Sequence, residues 1–168
     1  MEPVADTEKD RRLTRLGAAL GLGTLRPEEV TELATSLVAA GSESVPALAL
    51  AMMSSDPKQL SIFEVEPLAR EMLADFGVAV PSEMEAGWTL AGFIAEAMID
   101  GVIDGPTGAL RLWSLWRVCG VPNDELTWML QLHDAWENSV GQRRAAIEVE
   151  MVEYAPTVVA AARRLANG

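Results

Sequence analysis

The residues best equipped for chemistry lie in the string LHDAWE. His133, the only histidine in the chain, and Glu137 are four apart, which puts both on one face of a helix where they could share a metal ion. Asp134 is the next residue along and on that spacing should point elsewhere. One histidine and one carboxylate supply two ligands, whereas a catalytic zinc site takes three from the protein. The reading is therefore no metal and no cofactor, with a partly buried His133 bonded to Glu137 or to backbone. The alternative is a small metal-dependent hydrolase centred on His133 and Glu137, with further carboxylates brought near by folding.

A single histidine also limits the other catalytic schemes. A Ser-His-Asp or Cys-His arrangement would have to use His133, and no nucleophile motif such as G-x-S-x-G accompanies it. Metal-dependent phosphohydrolases of the helical HD type need further histidines. The pairs Glu29 with Glu32 and Glu150 with Glu153 have the E-x-x-E spacing that holds magnesium in helical nucleotide pyrophosphohydrolases. Between residues 28 and 104, however, only Lys58 and Arg70 could meet the phosphates. Asp100 and Asp104 lack the alternation of a calcium loop and suit helix capping better. Gly101, Gly105 and Gly108 follow no strand and precede no Walker lysine. Cys119 stands near an expected helix C-terminus, where the helix dipole disfavours a thiolate, and a lone cysteine closes no internal disulfide.

The charge is more informative. The 168 residues carry 25 acids and 13 bases, a net charge of −12, and 14 of the acids fall in residues 28–104 against two bases. Both ends are nearly neutral. Nucleic-acid binding is not expected, because affinity for phosphate backbones comes from Lys and Arg displacing counterions. A membrane span would need roughly 18 to 20 consecutive apolar residues, and no stretch approaches that. The N-terminus reads as no secretory signal, so a cytoplasmic protein is expected. An acidic segment can be a solvated face, or it can steer a basic partner.

The elements that must position these groups read as helices throughout. Alanine is the commonest residue, and no run alternates in the manner of a half-buried strand. Leu13, Leu16, Ala19 and Leu20 open the series, with Lys9, Arg11, Arg12 and Arg15 on the polar side. Pro27 suits a first helical turn and Gly41 a helix stop. Ser44 and Pro46 begin VPALALAMM, which is apolar nearly all round and is expected to be buried. Pro67 is expected in the first turn of the next helix, which ends at Gly77. Ser82 with Glu85 forms a capping box, and Asp104 can cap a helix running toward Gly120. A helix from Asn123 or Asp124 carries His133, and a last one from about Gln142 should kink or split at Pro156. The expected fold is all-α, a single compact domain of about seven or eight helices over 1–168 with residues 1–6 disordered. A weak division between Phe76 and Ser82 is also visible.

Five tryptophans stand beside three Phe and one Tyr, and Trp128 is offset from the Leu126, Met129 and Leu130 stripe. An exposed indole is a common binding hot spot. Eight methionines would suit either a core or an adaptable pocket.

Three stretches carry a resemblance. Gly41, Ser44, Pro46, Ala47 and Leu48 are followed by Gly101, Ile103, Gly108, Ala109, Leu112 and Trp113, and then by Trp136 and Glu137. Over residues 33–137 the chain resembles a group of small, all-helical bacterial hypothetical proteins that has no assigned activity. Pro106 sits one residue later than in that pattern. Some members look like the small acidic immunity proteins that neutralise bacterial toxins, by analogy only.

Together these readings imply a non-catalytic protein–protein interaction module with an acidic central surface, immunity-like or adaptor-like. The expected partner is a basic or polar protein, and self-association is a further option. Its candidate contacts are Glu28, Glu29, Glu32, Glu64, Glu83 and Glu85, with Trp128 as an anchor. An apolar ligand carrier would instead require a closed pocket lined by Trp and Met.

Overall fold

The computed structural model describes residues 4–53, 57–120 and 123–166, and among them the chain is all-α, with eight helices and no strand. The helices are α1 (Val4–Gly21), α2 (Pro27–Ala39), α3 (Val45–Ala51), α4 (Ile62–Asp75), α5 (Glu83–Ile99), α6 (Gly105–Leu115), α7 (Asp124–Glu137) and α8 (Gly141–Leu165), with one 3₁₀ turn at Pro57–Gln59. The expectation of disorder over residues 1–6 falls partly on residues 1–3, which lie outside the described residues. No helix among the described residues is long and apolar enough to cross a membrane.

Contacts gather into two compact units, Met1–Ser82 and Glu83–Gly168. In the first, α3 packs on α2 and α4, and α1 on α4. Leu13, Leu16, Val30, Leu37, Leu50 and Met72 close its core. The helices start and stop for local reasons. Pro27 supplies a preset φ at the first turn of α2. Gly41, with φ +90°, turns the chain out of that helix in a conformation that other residues resist. Ser44 caps α3, its hydroxyl oxygen accepting from the Ala47 N–H at 3.4 Å and its hydroxyl donating to Asp75 on α4 at 2.7 Å.

The second unit is built on the pairing of α5 with α8, its most extensive contact, with α6 and α7 laid against α8. Small residues allow that pairing. A Cβ built on Gly92 would stand 3.1 Å from the Ala162 Cβ, so the two backbones approach as closely as alanine and glycine permit. Trp88, only 1% exposed, donates its indole N–H to the Cys119 carbonyl at 2.9 Å and ties α5 to the turn after α6. Asp104 caps α6 as expected, accepting from the Thr107 N–H at 2.7 Å.

Four local expectations change. Pro67 is not in a first turn: α4 begins at Ile62, and Pro67 sits inside it. Helix α8 is not split at Pro156, which lies exposed inside it. Helix α6 stops at Leu115, so Cys119 lies in a tight turn and not on a helical face. VPALALAMM is buried on one side only: Pro46, Ala47 and Leu50 face the core, while Val45, Leu48 and Met52 are 74%, 40% and 85% exposed.

Candidate functional site

The charge of the central segment divides differently once the chain folds. Residues 1–82 hold 13 acids and seven bases, and residues 83–168 hold 12 and six, so each unit carries −6. The six candidate glutamates divide as well. Glu28, Glu29, Glu32 and Glu64 belong to the first unit, and Glu83 and Glu85 to the second.

Three of them meet bases from their own unit. Glu28 and Glu29 lie 3.6 Å and 3.5 Å from the Arg26 guanidinium. Glu29 and Glu32 line an open recess with Arg12 and Arg15 of α1, and Arg12 donates to the Ser36 hydroxyl oxygen of α2 at 3.3 Å. The basic side of α1 thus answers the acidic side of α2. A second open recess, on the same two helices near Phe76, is lined by Leu33, Leu37 and Phe76 together with Glu8, Lys9 and Arg12. Neither is lined by Trp or Met, which the ligand-carrier reading needs.

Glu64 is different. It is exposed at the start of α4 beside Phe63, which is 86% exposed, and it forms no ion pair with another described residue. Glu43, equally exposed, precedes α3. Val45, Leu48 and Met52 recur at three and four residues, so they form one outward stripe along α3. The opposite face of α3 is fixed in the core by Ala47 and Leu50, both fully buried. Periodicity missed this stripe because a seven-residue run of apolar side chains has no polar face to mark the solvent side.

In the second unit two indoles are exposed. Trp128 is 43% exposed, its ring 6.5 Å from that of Tyr154 at 58°. Burial raises the Tyr154 hydroxyl above its ordinary pKa, and the Glu125 and Asp124 carboxylates add to the effect. Trp113, at 53%, is more open than Trp128.

His133 is 7% exposed on α7. It makes no hydrogen bond or ion pair with a described residue, so the expected bond to Glu137 or to backbone is not formed. Asp134 does not point elsewhere. One ligand atom each from His133, Asp134 and Glu137 lies within 4.8 Å of the other two. Adjacent helical residues differ by about 100° in direction. An aspartate on the solvent side can still turn its short carboxylate toward the preceding imidazole, which backbone spacing does not reveal.

The face around this cluster is held by α8. Trp136 donates its indole N–H to Glu148 at 2.7 Å, and the Arg144 guanidinium carbon stacks 3.7 Å from the centre of the Trp136 ring. The Trp136 and His133 rings are 5.8 Å apart. Cys119 offers no nucleophile, since burial pushes its thiol up to about 12. No protein-family model, curated protein or solved structure matches the chain.

Proposed function

We propose that the chain is a helical interaction protein, immunity-like or adaptor-like, working in the cytoplasm. Its first unit binds a partner protein that presents apolar side chains ringed by Lys or Arg. The observation that carries this reading is the outward stripe of α3. Val45, Leu48 and Met52, with Phe63 at the start of α4, are large apolar side chains left in water on a helix whose other face is locked in the core. Burying such side chains is worth roughly 1.5–3 kcal/mol each before the costs of association, so a partner that covers them gains affinity. Glu43 and Glu64 stand close to these residues in sequence and form no ion pair with a described residue, which favours a basic rim on the partner. Glu28 and Glu29 of α2 contribute less, being paired with Arg26.

Two double variants test this, because all four positions are exposed and the fold should survive their change. In capture from native lysate at low salt, Leu48→Asp/Met52→Asp should lose the bound protein at every salt concentration. Glu43→Lys/Glu64→Lys should lose it most where screening is weakest. Recovery of the same proteins by wild type and both variants would remove the reading.

A further inference from the structure

We propose that His133, Asp134 and Glu137 form a binding site for a divalent transition-metal ion of the zinc class. Three observations converge on it. The ligand atoms of the three side chains lie within 4.8 Å of one another, a spread that one ion at about 2.0–2.2 Å from each can draw together. His133 is more than nine-tenths buried yet has no hydrogen-bond partner among the described residues. The imidazole nitrogens are not sealed, since among those residues only Asn123 Oδ1 is both closed to solvent and without a partner.

The third observation is rigidity. Leu126, Met129 and Leu132 anchor α7 in the core of the second unit. Trp136, between the ligands, is fixed to α8 by its bond to Glu148 and by the stacked Arg144. The site is thus carried on a packed helix, and the two carboxylates need only rotamer changes to close on a metal.

The donor set selects the ion. One imidazole nitrogen and two carboxylate oxygens suit Zn²⁺, Co²⁺ or Ni²⁺, whereas Mg²⁺ and Ca²⁺ prefer oxygen throughout. A neutral imidazole and two carboxylates balance the charge of a divalent cation. Three protein ligands leave a coordination position for water. This site lies in the second unit and is independent of the α3 stripe, so either can fail alone.

The test is calorimetric titration of the full chain with ZnCl₂, with CoCl₂ absorption as a second reading. Wild type should bind one ion per chain and give visible d–d bands of a nitrogen and oxygen site. Asp134→Asn/Glu137→Gln changes only exposed side chains and should keep the fold. It should lower affinity by at least the ~10–100-fold that the loss of an outer-shell partner alone can cost. His133→Gln should do the same, with circular dichroism to check folding. No heat and no cobalt bands in wild type would overturn the site, as would an affinity unchanged by the carboxylate pair. Mg²⁺ competing equally with Zn²⁺ would overturn the assignment of the ion class.

Discussion

Replacing Trp88 with phenylalanine tests how the second unit is held together. The indole is 1% exposed, and its N–H donates to the Cys119 carbonyl at 2.9 Å. Phenylalanine keeps an aromatic ring but leaves that carbonyl without its donor, and an unsatisfied buried acceptor costs about 1–3 kcal/mol. The smaller ring also vacates roughly 40 Å³, which at about 24 cal/mol per Å³ adds about 1 kcal/mol. The expected loss is therefore about 2–4 kcal/mol, read as a lower urea midpoint with an unchanged m-value. Trp128→Phe is the control. Trp128 is 43% exposed, its indole N–H has no partner among the described residues, and phenylalanine preserves the tilted pairing with Tyr154. That variant should cost less than about 1 kcal/mol, as most exposed substitutions do. If Trp88→Phe is no more destabilising than Trp128→Phe, the tie between α5 and the turn at Cys119 does not hold the unit.

Gly92→Leu drives a branched side chain into Ala162, which a Cβ alone already approaches to 3.1 Å, so overpacking should cost about 1–3 kcal/mol or more by urea denaturation. Cys119, with its thiol raised to about 12 by burial, should resist iodoacetamide at pH 8 in the folded chain and react promptly in urea; equal rates would refute its burial. The Asp104 carboxyl is held below its ordinary value of 3.8, first by the Thr107 backbone N–H, then by the Thr107 side chain and by the Arg111 charge. Its cap therefore stabilises the folded chain fully above pH 3.8, and that contribution is lost as pH falls through the lowered value. Asp104→Ala should cost about 1 kcal/mol at pH 7, with the gap to wild type narrowing in acid denaturation series; a gap constant with pH would contradict this.

The helices were legible because their ends are written in single residues. Pro27 opens α2, Ser44 and Asp104 cap α3 and α6, and Gly41 and Gly77 end α2 and α4 where an ordinary residue would be strained. Boundaries that depend on packing were not legible. Helix α6 stops at Leu115 because the turn that follows presents the Cys119 carbonyl to Trp88, a partner 31 residues earlier in the chain. Pro67 resembled a helix start because proline suits one, but Ser61 opens α4 a turn and a half earlier.

The site residues were legible as types and less so as neighbours. His133 and Glu137 share a face by helical arithmetic, whereas the convergence of Asp134 depends on a side-chain rotation that no spacing encodes. The acidic segment was real in the sequence. Folding pairs Glu28 and Glu29 with Arg26, and what stays open is the apolar stripe of α3, with Glu43 and Glu64 forming no ion pair with a described residue.

A native mass spectrum of the chain isolated gently from its own cells tests the interaction reading most directly. The predicted result is a complex of the chain with one polypeptide partner, weakening as salt is raised and missing for Leu48→Asp/Met52→Asp. The bare chain, a homodimer, or the chain carrying only a small-molecule mass would contradict it.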